Sequence, residues 1–241
     1  MVDVDSFVKM ALFDKARAYK RGFFPFIVDA IRAQQQHNDI TSIVEIGIGS
    51  GRNHVSWHDS SSEDTAVGGI DIFDYRLPKC ANMSNFDKWK RNQIYALQDF
   101  ENRPRIHTCY GMSGYEDSSI IALLEKMNRT KIDFVRDDGL TGPWEAVRGS
   151  FPPWKKYISE HGFFISETPD GNGTPTWWAE STETHLEHFA ELKTHGLIVF
   201  DMSSFRDNDD PDFSSSYLGF WAPNMSLYTD LIGKYRQYIA N

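Results

Sequence analysis

Two groups of residues have the types and spacing to do chemistry. The first is a set of carboxylates: Asp137 and Asp138 close the apolar run IDFVRDDG, and Glu167 closes the next one, HGFFISET. Adjacent acids at the end of a buried strand are costly unless something positive meets them. Hard oxygen ligands gathered along one rim suit Mg²⁺, which keeps waters or takes substrate hydroxyls as its remaining ligands. A bound ion of that kind lowers the pKa of a coordinated hydroxyl and prepares an oxygen nucleophile. The second group lies earlier, in residues 42–52, SIVEIGIGSGR. Ile43, Val44 and Ile46 form a short β-branched run typical of a strand buried on both faces, and Gly47, Gly49 and Gly51 then break it. Glycines there let the backbone approach a ligand closely, because no Cβ intervenes and positive φ is accessible.

Which ligand is meant depends on two details. A dinucleotide fingerprint needs a third glycine where this chain has Arg52, so that pattern is not met. What stands is Glu45-x-Gly47-x-Gly49-x-Gly51, and the strand expected over residues 66–72, AVGGIDI, brings Asp71 to its end. A carboxylate roughly 20 residues beyond the glycines is placed to accept hydrogen bonds from ribose hydroxyls. Glycine loop and acid together point to a nucleotide-type ligand. The pattern resembles the first motif of class I S-adenosylmethionine (SAM) dependent methyltransferases. That resemblance implies that Glu45, Gly47, Gly49 and Gly51 hold the amino acid end of SAM, with Asp71 and Ile72 at the ribose. Met112 and Ser113, after the third strand, would contact the adenine, and Asp137 would line the adenine or methionine end.

The set VEIGIGSGRN, GGIDIFD, IDFVRDDG and HGFFISET, over roughly residues 40–170, resembles the macrocin O-methyltransferase and cephalosporin hydroxylase group. In metal-dependent relatives the second acid of Asp-Asp-Gly and an acid pair after the next strand bind Mg²⁺, which holds neighbouring sugar hydroxyls. Asp138 and Glu167 match those positions and become the implied catalytic and metal-binding residues. The chain departs from the pattern at two places: Thr141 stands where relatives carry a histidine base, and Thr168 where the second metal acid is expected. Threonine is no base at neutral pH. Asp170, two residues on, is the candidate replacement ligand.

The elements that must position these residues alternate. Residues 3–36 carry apolar side chains at helical spacing, interrupted by Gly22 and Pro25, and read as two helices that cap the cofactor. Strands are expected at 105–110, 131–136, 161–166, 196–201 and 217–222. Helices are expected at 53–58, 94–100, 118–127, 144–159, 182–194 and 227–239. Residues 73–92 gather Tyr75, Arg76, Lys79, Lys88, Lys90 and Arg91, either a surface for an anionic or glycan substrate or a solvated loop and helix. Trp177 and Trp178 either stack on a ring or anchor their loop. His185 and His188, with Glu183 and Glu187, have a spacing that can clip a metal, with solvated helix residues the default reading. His54, beside the glycine loop, reads as a packing residue or a site residue. The acids of residues 206–216 match no calcium loop.

A chain of 241 residues with 40% hydrophobic content builds one domain, here an N-terminal helical cap over 1–38 and a core over 40–241. The expected fold is α/β, a Rossmann-like three-layer αβα arrangement with a mostly parallel seven-stranded sheet and N-terminal helices. Net charge of −9 argues against a protein that gathers nucleic acid by bulk electrostatics. Cys80 and Cys109 read as reduced thiols in a cytoplasmic setting, and the N-terminal stretch reads as neither signal peptide nor membrane span. The function expected is SAM-dependent methyl transfer to a hydroxyl of a sugar or other small acceptor, with Mg²⁺ assistance. Two alternatives are an NAD-dependent oxidoreductase and a non-catalytic SAM-binding protein. Self-association is left open by Trp221 and Tyr228.

Overall fold

The computed structural model describes residues 1–13, 23–83, 86–137, 151–169, 190, 193–201 and 215–240. Seven strands are present among them: β1 (Ser42–Ile46), β2 (Ala66–Asp71), β3 (Ile106–Tyr110), β4 (Ile132–Asp137), β5 (Ile158–Pro169), β6 (Ile198–Asp201) and β7 (Ser215–Trp221). They form a single sheet in the order β3-β2-β1-β4-β5-β7-β6. β7 runs antiparallel to both neighbours, and every other pairing is parallel. The expected Rossmann-like, mostly parallel sheet is therefore observed. Strand order reverses between β1 and β4, where such sheets open a crevice at the strands' carboxyl ends.

Among the described residues seven α-helices accompany the strands: α1 (Val4–Phe13), α2 (Phe23–Gln35), α3 (Arg52–Asp59), α4 (Phe86–Phe100), α5 (Asp117–Met127), α6 (Phe151–Trp154) and α7 (Thr229–Lys234). Side chains that alternate along each strand feed two apolar clusters, as expected of a sheet covered on both faces. Ile43, Val67, Phe134, Phe163 and Phe220 join Phe7, Phe26, Trp57 and Tyr235, from α1, α2, α3 and the carboxyl-terminal segment. Val44, Ile70, Val135 and Phe164 join Leu123 and Met127 of α5 and Phe151 and Trp154 of α6 on the other face. The first cluster is threaded by rings: Phe7 stacks on Trp57 at 3.7 Å, and Trp57 meets Phe134 edge-on at 5.5 Å.

At the strands' amino ends Asp133 ties three of them together. Its Oδ2 accepts from the backbone amides of Thr41 (2.8 Å) and Ser42 (3.1 Å) and from both hydroxyls, and Oδ1 accepts from Ser159 Oγ at 2.8 Å. A buried carboxylate with that many donors is a structural joint, since each donor offsets part of its desolvation.

Some expected boundaries move. The helix expected over 144–159 is, in its described part, only α6, and β5 begins at Ile158. Pro152 and Pro153 are tolerated in a first turn but carry no N–H to extend one, and Ile158 pairs with Ile132 of β4. α4 begins at Phe86, eight residues before the expected 94. Phe86 and Trp89 pack on Phe73, with centroids at 5.9 and 5.8 Å, an anchor hidden among charged neighbours. The expected terminal helix over 227–239 is broken into 3₁₀ turns at Met225–Tyr228 and Arg236–Tyr238 around α7. Buried Tyr228 directs this path, donating its hydroxyl to the His161 carbonyl at 2.6 Å. Pro25 lies inside the first turn of α2 and does not interrupt it.

Candidate functional site

The glycine loop follows from how β1 ends. Gly47 N continues the ladder to the Ile70 carbonyl at 2.8 Å, and Gly47, Gly49 and Gly51 then take φ of 88°, 54° and 73°. Side chains with a Cβ avoid that region, so the turn requires glycine. Two of these glycines answer to different surroundings. A Cβ on Gly51 would lie 2.5 Å from Phe100 Cζ and 2.8 Å from Ala96 Cβ, so α4 packs against bare backbone there. A Cβ on Gly49 would meet nothing within 4 Å, so this backbone faces open space.

Asp71 holds the loop in that shape. Its Oδ2 accepts from the amides of Ile48 at 3.0 Å and Gly49 at 3.2 Å, and its Oδ1 accepts from Phe73 N at 2.8 Å. Burial pushes its carboxyl up from the usual range, and these amides pull it back. The sequence reading assigned Asp71 to ribose hydroxyls alone. In the structure the same carboxylate first clamps the loop, with lone-pair capacity left for a further donor. Ile72, just past the strand, is an exposed apolar side chain.

β3 delivers the next part of the rim. Gly111 takes φ of 72°, Met112 N donates to the Asp71 carbonyl at 3.3 Å, and Ser113 Oγ accepts from Tyr115 N at 3.3 Å. A Cβ on Gly111 would collide with Leu77, so the segment after β2 folds over this end of β3. Lys79 Nζ reaches the Gly111 carbonyl at 3.3 Å, and Asp74 holds Arg76 through two bonds of 2.8 Å. Asp137 closes β4, fully buried, in register with Ile46 and Ser166. Burial pushes the Tyr115 hydroxyl well above its usual range, and the charges of Asp137 and Asp71 add to the shift, so Tyr115 senses both acids.

Behind the loop lies a charged cluster that sequence reasoning missed in part. Glu45 Oε1 accepts from Arg136 Nη1 at 2.6 Å and from Asn53 Nδ2 at 2.7 Å. His54 Nδ1 lies 3.4 Å from Glu45 Oε2. Burial lowers the His54 pKa to about 4, with Arg136 adding to the shift, so the imidazole is neutral. Arg136 was legible as a charge inside an apolar run, which needs a partner. That partner is Glu45, in register across the β1–β4 pairing.

Glu45, Gly47, Gly49, Gly51, Asp71, Met112, Ser113 and Asp137 thus share the carboxyl-end rim of β1 to β4. Glu167 is in β5, one residue beyond the Asp137–Ser166 pair and opposite Leu218 of β7. Asp138, Thr141, Asp170, Trp177, Trp178, Glu183, His185, Glu187 and His188 lie outside the described residues, as do residues 206–214. Among the described residues no group of three or more His, Cys, Asp and Glu is placed to hold a metal ion. Among them, too, no helix is long and apolar enough to cross a membrane.

No protein-family model matches the chain, and no curated protein matches it in sequence. Solved structures do match its fold. Human methyltransferase-like protein 13, in complex with SAH, gives a TM-score of 0.56 at 14% identity, over 91% of this chain and 89% of that one. The O-methyltransferase TomG from Streptomyces achromogenes, in complex with SAM, gives 0.51 at 10% identity, over 84% and 79%. An O-methyltransferase from Bacillus cereus, in complex with SAH, gives 0.50 at 12% identity, over 83% and 79%. At such identities the likeness establishes the fold alone: this sheet and its helices follow the Rossmann-like arrangement of those three solved structures.

Proposed function

We propose that the chain is a SAM-dependent methyltransferase, of the EC 2.1.1 class, acting on a hydroxyl oxygen of a sugar or other small acceptor. The observation that carries this reading is the clamp of Asp71 on the amides of Ile48 and Gly49, with open space over Gly49. A cradle of that shape fits a nucleoside-bearing ligand, and three proteins of like fold hold SAM or SAH, two of them O-methyltransferases. Gly47, Gly49 and Gly51 would form the floor under the methionine portion, with Glu45 behind it. Asp71 and Ile72 would meet the ribose, and Met112 and Ser113 the adenine. Asp137 would face the methionine end.

When bound, SAM supplies a methyl group on a sulfonium, already a good electrophile. The chain's work is then to hold acceptor oxygen and methyl in line, which accounts for much of the rate of such a transfer. Buried Asp137 and Asp71 would favour a cationic ligand at the rim. Asp138 and Glu167 are the candidate catalytic acids, and with Asp170 the candidate ligands for Mg²⁺. An ion held there would lower the pKa of a coordinated hydroxyl. A cytoplasmic setting suits Cys80 and Cys109, both buried free thiols.

Release of SAH from SAM with a panel of sugars and polyols, with Mg²⁺ and with a chelator, tests the reading. The expected result is acceptor-dependent SAH release that falls in Asp138→Ala. SAM binding without turnover on any acceptor would favour the non-catalytic alternative.

A further inference from the structure

Between residues 75 and 91 the chain carries five basic residues, Arg76, Lys79, Lys88, Lys90 and Arg91, against one acid, Asp87, in a protein of net charge −9. The fold gathers two of them on one ring. The Arg76 guanidinium lies 6.0 Å from the Tyr75 ring centroid and the Lys90 ammonium 5.8 Å from it, with Lys90 also 6.0 Å from the Phe86 ring. Both cations lie closer to Tyr75 than the screening length of about 8 Å at physiological salt, so an anion beside that ring feels both charges. Arg76 is held ready. Its Nε and Nη2 each donate to Asp74 at 2.8 Å, which leaves the other N–H groups of the guanidinium for a ligand. The Asp74 side chain is 7% exposed and that of Arg76 59%, so the positive end of the pair faces solvent. The two elements are fixed to each other: Tyr75 N donates to Gln93 Oε1 at 3.0 Å, and Phe86 and Trp89 pack on Phe73. Lys88 and Lys90 lie in the first two turns of α4, toward the end where the helix dipole disfavours cations, a placement that serves a partner better than the helix. The patch borders the candidate cofactor rim, since Lys79 Nζ reaches the Gly111 carbonyl and Leu77 occupies the space over Gly111.

We propose that Arg76, Lys90 and the Tyr75 ring bind a phosphate group of the acceptor, so that the sugar methylated by this protein is a sugar phosphate. This rests on the methyltransferase reading with a sugar acceptor. The guanidinium supplies directed donors, Lys90 a compact second charge, and Tyr75 a flat apolar face for the C–H surface of a sugar. A single phosphate fits the patch better than a polyanion. Following a nucleic acid backbone takes many phosphate contacts, and the rest of this acidic chain repels one. An acceptor lying across the rim places its phosphate at Tyr75 and its reacting hydroxyl toward the methyl group.

The test is titration at constant ionic strength, followed by amide NMR and calorimetry, with inorganic phosphate, trehalose 6-phosphate, trehalose and a short oligouridylate. Wild type is expected to show saturable shifts from phosphate and from trehalose 6-phosphate at residues 74–79 and 86–91, with trehalose binding more weakly than its phosphate. Lys90→Glu reverses one exposed charge and is expected to weaken trehalose 6-phosphate about tenfold. The double variant Arg76→Gln with Asp74→Asn, which removes the guanidinium without stranding a buried carboxylate, is expected to weaken it about threefold. Melting temperatures check that each variant is folded, and if one is not, the other carries the test. Equal binding of the two disaccharides, no shift at these residues in wild type, or trehalose 6-phosphate affinity unchanged in the folded variants would each overturn the proposal. Oligouridylate binding more tightly than trehalose 6-phosphate and weakened in Lys90→Glu would overturn it too, giving the surface to RNA. SAM titration of the wild type is scored separately: no signal there would remove the methyltransferase reading, while the NMR arm still decides the phosphate site.

Discussion

Asp71 and Gly49 stand 22 positions apart and are joined by a bond of 3.2 Å from the glycine's amide to the carboxylate. With the second bond, from Ile48, that contact makes the end of β2 the support for the turn after β1. The acid expected at the ribose and the glycines expected at the methionine are therefore one mechanical unit.

Replacing Asp71 should cost more than a ligand contact. Asp71→Ala leaves the amides of Ile48, Gly49 and Phe73 without their acceptor, and hydrogen bonds to a charged group contribute about 1.5–3 kcal/mol each. SAM affinity is expected to fall about 100-fold or more, equivalent to about 2.7 kcal/mol. Asp71→Asn, which keeps one acceptor oxygen, should lose less. Calorimetric titration of both variants decides; equal, small losses would contradict the clamp.

Two glycine substitutions should separate ligand from fold. Gly49→Ala faces open space, so its stability cost is the left-handed backbone alone, about 1–2 kcal/mol, while the new methyl enters the ligand's room. Gly51→Ala adds a collision with Phe100 and Ala96 to the same backbone cost. Thermal melts should rank Gly51→Ala as the less stable, and SAM titration should show the larger binding loss per degree of melting for Gly49→Ala.

His54 sets a pH dependence of stability. Its pKa falls from 6.5 to about 4 on folding, so between those values the unfolded chain binds more protons than the folded one. Stability contributed by the neutral imidazole is complete above pH 6.5 and is lost as pH falls toward 4, by about 3 kcal/mol in all. Asp71, whose pKa is raised by burial, acts in the opposite sense above its unfolded value. The difference between wild type and His54→Gln isolates the histidine: the wild-type melting temperature should fall more steeply with acid. Parallel curves would contradict this.

Asp133 should matter for folding and not for binding. Asp133→Ala removes the acceptor of Thr41, Ser42 and Ser159 at the strands' amino ends, far from the glycine loop. Loss of such a network is expected to cost about 3 kcal/mol, read by denaturant unfolding, with SAM affinity in the folded fraction unchanged.

What the sequence disclosed of the site was its local part. A β-branched run, three glycines and an acid at the next strand's end are contiguous patterns, and each landed at the expected place. The pairing of Glu45 with Arg136 was not legible, because it spans 91 positions and depends on β4 lying beside β1. Nor does spacing say what else occupies a carboxylate, so the hold of Asp71 on the loop amides stayed hidden behind its expected ribose role. Boundaries failed where long-range contacts set them. Ile158 becomes strand because Ile132 is its neighbour, and α4 starts at Phe86 because Phe73 is waiting for its ring.

Calorimetric titration of the wild-type chain with SAM and, separately, with NAD bears most directly on the central claim. The structure's clamped glycine loop and Asp71 predict a saturable SAM signal, abolished in Asp71→Ala, with no signal from NAD. Binding of NAD with none of SAM would contradict the methyltransferase reading and return the site to the oxidoreductase alternative.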